Sequence, residues 1–146
     1  MKTLQPIRKV LAASLGTAAI LLAGCAGMMS SGKNVSVSLS GAQQVPPVKT
    51  AASGSGTITV GEDRSVSGSV TISGLAPAAA HIHVGARGKN GPVAVGLTKT
   101  SDTVWSVPAG AKFNEAQYQS FMAGETYLNF HTPANKGGEI RGQLQP

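Results

Sequence analysis

The chain has 146 residues, a formal net charge of +6 from 12 Lys and Arg against 6 Asp and Glu, 4% aromatic residues and a single cysteine. One cysteine excludes an internal disulfide and any paired thiolate site, and basic residues that nowhere cluster with aromatics exclude a nucleic-acid-binding stripe. Scattered acids without a carboxylate pair, and serines without a Gly-x-Ser-x-Gly elbow, leave no hydrolase signature.

Lys2, Arg8 and Lys9 open the chain, followed by an apolar run over residues 10–23 that only Ser14, Gly16 and Thr17 interrupt. The run is too short for a stable membrane span and has the flanks of an export signal. It ends in Leu22-Ala23-Gly24-Cys25, which resembles the lipobox of bacterial lipoproteins. That resemblance implies cleavage before Cys25, a diacylglycerol on its thiol and stable membrane anchoring by two or three acyl chains. Ala26, in place of aspartate after the cysteine, implies the outer membrane, with the domain facing the periplasm. The expected organisation is a signal peptide over 1–24, a lipidated flexible tether over 25–33 and one domain over 34–146. Loss of the signal leaves nine basic residues against six acids, a net charge of +3 on 122 residues, enough chain for one core.

Past the tether the pattern is β. Val35, Val37 and Leu39 alternate with serines, residues 57–60 follow, and 66–72 carries Val66, Val70 and Ile72 on one face. Val45-Pro46-Pro47 reads as an extended, polyproline-like segment at a sheet edge, where missing amide donors cost little. Further strands are expected at 80–84, 93–97, 103–107, 126–132 and 139–144. Between the first two of these, residues 85–91 have the glycine content of a phosphate loop without its Gly-Lys-Ser/Thr ending, and read as a flexible turn beside His83. One helix is expected over 114–123. Asn114 would cap it, Phe113 would staple to Tyr118, Gly124 would end it, and Phe121 and Met122 would dock it. Trp105 reads as a packing anchor. Frequent turn signals without alternating helices predict an antiparallel β-sandwich or barrel.

The three histidines fall in two of these strands. Successive side chains of a strand point to opposite faces, so His81 and His83 share the face opposite Ile82. In the later strand Leu128 and Phe130 form the core-facing pair, which puts Asn129 and His131 on the other face. All three imidazoles therefore point away from the core, and two side by side can hold one metal ion. Gly137-Gly138 turns the last two strands into a hairpin, in which Glu139, Arg141 and Gln143 share the outer face with Asn129 and His131. One consistent register pairs His131 with Arg141. There Arg141 would guide an anion towards a metal, or would pair with Glu139 or Glu125 and solvate the sheet.

Five segments together resemble the CHRD domain, named after chordin and common in bacterial exported proteins. They are Ser40-Gly41-Ala42-Gln43-Gln44-Val45-Pro46-Pro47-Val48, Ala79-Ala80-His81-Ile82-His83, Gly91-Pro92-Val93, Tyr127-Leu128-Asn129-Phe130-His131-Thr132 and Gly138-Glu139-Ile140-Arg141-Gly142-Gln143-Leu144. The resemblance covers roughly residues 35–144, in order and at suitable spacing. It implies an immunoglobulin-like β-barrel and leaves the biochemical role undefined.

A more distant similarity is to the copper-zinc superoxide dismutases. These also place His-x-His on one strand, a third copper-binding histidine on a later strand and an arginine near the C-terminus after a Gly-rich turn. His81 and His83 match the first pair, His131 the later ligand and Arg141 the arginine, which implies a Greek-key sandwich with ligands on its outside. The chain departs from that pattern as well. No histidine remains to bridge copper to zinc, the zinc ligands and paired cysteines are absent, and residues 85–92 replace the long loop. What the similarity implies is a three-imidazole site for copper, or else zinc on ligand softness and geometry, with Asn129 and Arg141 just outside it.

The expected function is thus a lipid-anchored, monomeric envelope domain without catalytic residues, binding copper at an exposed His81, His83 and His131 site. Two alternatives stand beside it. One is a structural or protein-interaction module in which His81, Asn129 and His131 tie a crossing loop to the sheet. The other is a weak dismutase-type enzyme.

Overall fold

A computed structural model describes residues 31–146; the signal segment, Cys25 and most of the tether lie outside the described residues. The strands are β1 (Gly32–Ser40), β2 (Ser53–Gly61), β3 (Val66–Ser73), β4 (Ala79–Val84), β5 (Val93–Gly96), β6 (Thr98–Lys99), β7 (Val104–Ser106), β8 (Thr126–His131) and β9 (Ile140–Leu144). One helix, α1 (Glu115–Met122), precedes β8. Gly32 and Lys33, expected in the tether, already pair with Gly61 and Val60 as the start of β1.

The strands form one sheet in the order β5-β4-β8-β9-β1-β2-β3-β7-β6, and every pairing is antiparallel. Only Leu97 separates β5 from β6, so the two ends of the sheet are neighbours in the chain and the sheet curls into a nearly closed barrel. The all-β expectation with one short helix holds. Inside lie the alternate residues of each strand: Val35, Val37 and Leu39, Ile58 and Val60, Val66, Val70 and Ile72, Ala80 and Ile82, Leu128 and Phe130, Ile140 and Leu144, all buried. Removing this apolar surface from water is the main stabilising term. Trp105 packs edge-on against Phe130, with ring centres 5.9 Å apart, as the anchor it was expected to be.

The helix forms where a capping box allows it. Asn114 accepts from the Gln117 amide while the Gln117 side chain accepts from the Asn114 amide. Phe121 is buried, and Phe113 lies beside it at 6.0 Å between ring centres. Met122 does not dock. It stays 41% exposed, because one residue further along a helix points about 100° away from Phe121.

Two other expectations are corrected. The 45–47 segment is at no sheet edge; it belongs to the connection between β1 and β2, which are interior strands, and the Val45 carbonyl accepts from Asn90 Nδ2. In the final hairpin Arg141 faces Asn129, not His131. The register is shifted by two residues from the expected one, because Thr132 and Asn135 exchange backbone hydrogen bonds and the Glu139 amide returns to the Phe130 carbonyl.

Candidate metal centre

Adjacent strands β4, β8 and β9 carry the site. Ala80, Ile82, Leu128, Phe130 and Ile140 face the core, so strand alternation sends the residues between them to the other face. Across the strands His81 pairs with Asn129, His83 with Tyr127, Asn129 with Arg141 and Tyr127 with Gln143. This outer face was expected to be open. Instead His83 is 7% exposed, Tyr127, Asn129, Arg141 and Gln143 are buried, and only His81 and His131 keep partial exposure.

Three loops cover it, each tied down by the polar residues beneath. Over 85–92, Arg141 donates from Nη1 to the Lys89 carbonyl at 2.9 Å and from Nη2 to the Ala86 carbonyl at 3.1 Å. Gln143 Nε2 donates to the Gly85 carbonyl, and the Gly91 amide donates to Tyr127 Oη. No other residue fits at 91, since a Cβ there would stand 1.7 Å from the Val84 carbonyl oxygen. Over 132–139, Asn129 Nδ2 donates to the Gly137 carbonyl. Gly138 follows with φ +121°, a conformation that glycine adopts without penalty, and a Cβ there would meet Asn129 Oδ1 at 2.1 Å. Over 41–48, Gln44 Nε2 donates to that same Asn129 oxygen. The 85–92 turn does lie beside His83, as expected, but it is held at several points.

The histidines form a near-equilateral triangle, with ring centres 5.0 Å apart for His81 and His131, 5.5 Å for His81 and His83, and 5.6 Å for His83 and His131. One nitrogen from each lies within 4.8 Å of the others. His83 Nδ1 is 2.9 Å from the Gly91 carbonyl and His131 Nδ1 is 2.9 Å from the Lys136 carbonyl. A carbonyl only accepts, so each Nδ1 carries the hydrogen and leaves a lone pair on Nε2. Those two Nε2 atoms and His81 Nδ1 are buried without a hydrogen-bond partner among the described residues. Such an atom costs roughly 1–3 kcal/mol if nothing satisfies it. Metal-bound histidines characteristically donate their other ring N–H to a carbonyl or carboxylate, which is the arrangement of His83 and His131.

Burial holds the His81 and His83 pKa values below the ordinary histidine range, and positive charge on His131 pushes both the same way. Neutral imidazole, the ligating form, therefore persists at these two positions to lower pH than in water. A metal held at about 2.0–2.1 Å by tetrahedral nitrogens needs them about 3.3 Å apart. The three nitrogens converge to within 4.8 Å of one another, so these residues could hold a metal ion.

Arg141 was expected next to the site, and the structure interposes a residue. The Tyr127 ring stacks on His83 at 4.9 Å and 7° between planes, and the Arg141 guanidinium carbon sits 3.4 Å from the Tyr127 ring centre. Because β8 lies between β4 and β9, His83 and Arg141 occupy opposite faces of the tyrosine. Arg141 pairs with neither Glu139 nor Glu125; carbonyls and amides satisfy it. Tyr127, Gln44 and Gln143 are the contributors that the sequence reading left without a role. Tyr127 shares the strand parity of Asn129 and His131, and that was the available signal.

A family model for the CHRD domain matches residues 35–144, a span that contains the three histidines, the polar residues beneath them and all three covering loops. No curated protein and no solved structure matches the chain. The matched segment runs from the first core residue of β1 to the last of β9, and on that ground the chain belongs to the CHRD domain family.

Proposed function

We propose that this protein is a lipid-anchored envelope domain that binds copper at His81, His83 and His131 and does not turn over a substrate. The observation that carries the copper reading is the convergence of three buried, unpartnered imidazole nitrogens, two with their second nitrogen fixed by a backbone carbonyl. Imidazole donors suit copper and zinc. The anchor rests on Leu22-Ala23-Gly24-Cys25, with the acylated Cys25 holding a monomeric domain at the outer membrane on its periplasmic side.

One observation favours the structural alternative: His83 and His131 do tie loops to the sheet. A dismutase-type reading has less support, since the Tyr127 ring separates Arg141 from the triad. Titration with Cu(II) and Zn(II), followed by calorimetry and electron paramagnetic resonance, separates the readings. Stoichiometric copper binding with nitrogen hyperfine structure, lost in the His81→Ala, His83→Ala, His131→Ala triple variant, is the expected result. Equal, weak binding by both proteins would leave a structural or interaction module. Metabolic labelling with palmitate, abolished by Cys25→Ala, tests the anchor.

A further inference from the structure

We infer that the centre selects the singly charged form of its metal, binding cuprous ion more tightly than cupric or zinc ion. This rests on the copper-binding reading above and adds the charge state to it. The ligand set brings no negative charge: among the described residues three histidines make up the cluster, and no Asp, Glu or Cys joins it. The groups that orient the ligands are neutral too, since the Gly91 and Lys136 carbonyls stand where metal sites often have a carboxylate. Glu139, the carboxylate at this end of the hairpin, is engaged elsewhere, by the side chains of Thr50, Thr132 and Asn135.

A full positive charge lies on the other side of Tyr127. Arg141 is 1% exposed, takes part in none of the ion pairs of the described residues, and is bonded only to carbonyl and amide oxygens. Water therefore screens it poorly, and only the stacked Tyr127 ring stands between it and His83. At a separation of about 8–10 Å and an effective dielectric constant of about 20, adding a second positive charge at the metal weakens binding on the order of tenfold. Geometry acts in the same direction. Three converging nitrogens serve a closed-shell monovalent ion, whereas cupric ion seeks a tetragonal set of four.

The test uses the full chain purified in detergent. Cuprous affinity is measured anaerobically by competition with a chromophoric chelator, cupric and zinc affinities by competition with chelators of their own, and Arg141→Met and Arg141→Lys are run beside the wild type. A cuprous dissociation constant at least tenfold below the other two is expected. Arg141→Met should reduce that preference about tenfold, and Arg141→Lys should restore most of it. Histidine-dependent binding in which cupric or zinc ion is the tighter ligand would overturn the selectivity and leave metal binding standing. Binding that the triple histidine variant shares would overturn the copper reading itself. A cuprous preference indifferent to Arg141→Met would remove the arginine from the explanation, and the wild-type comparison decides the selectivity even if that variant does not fold.

Discussion

Strands β1, β2 and β3 and strands β4, β8 and β9 alternate in the same way and send the same kind of residue inward, yet their outer faces have opposite fates. On the first group the outer face is a field of exposed hydroxyls: Ser36 lies opposite Thr57 and Thr57 opposite Ser69, one row across the three strands. On the second, every residue of β9 and all of β8 but His131 is buried. The difference lies in what crosses above. Water satisfies a hydroxyl on a bare face, whereas each polar group under a loop must find a protein partner or carry the cost of lacking one. The covered face is therefore where unpartnered nitrogens are informative.

Four experiments break or sharpen that contrast. Phe130→Ala removes core that both groups of strands share and should cost about 3–5 kcal/mol in urea unfolding. Arg141→Met strips the Ala86 and Lys89 carbonyls and the Gln143 side chain of their donor. It should cost roughly 2–4 kcal/mol, and a loss below about 0.5 kcal/mol would mean that the loops hold without it. Acidification probes Glu139, whose carboxyl the Thr132, Thr50 and Asn135 side chains hold below its ordinary range. Its folded pKa lies under the unfolded value of about 4.3, so its stabilisation is complete above that pH and is lost as pH falls through the folded value. Glu139→Gln should flatten the acid limb of a melting-temperature profile. Thr57→Val, on the bare face, should change stability by less than about 0.5 kcal/mol; a cost rivalling that of Arg141→Met would erase the distinction between the faces.

Parity was legible where apolar and polar residues alternate, and it placed His81, His83, Asn129, His131 and Arg141 on one face correctly. Register was not. The hairpin register is shifted by two residues around the turn that Thr132 and Asn135 form, and the shift left every side chain on its assigned face because a slip of two preserves alternation. The cover over that face was illegible for a different reason. The segments that bury Tyr127 and Arg141 come from 41–48 and 85–92, and no local pattern states where a remote loop will cross. Hence the site read as exposed and Tyr127 went unassigned. Met122 was misplaced by its apolar character alone, since nothing in a short helix says which neighbour of Phe121 turns inward.

The partners of β9 have a consequence for how the molecule comes into being. Ser40 meets Arg141, 101 positions apart, and β4 waits for β8 across more than forty intervening residues. Contacts so remote are formed slowly, typically in milliseconds to seconds. A chain synthesised only as far as α1 holds His81 and His83 but neither His131 nor the arginine that pins the 85–92 loop. The triad is thus a product of completed folding, and ligation by all three imidazoles is open only to a finished barrel.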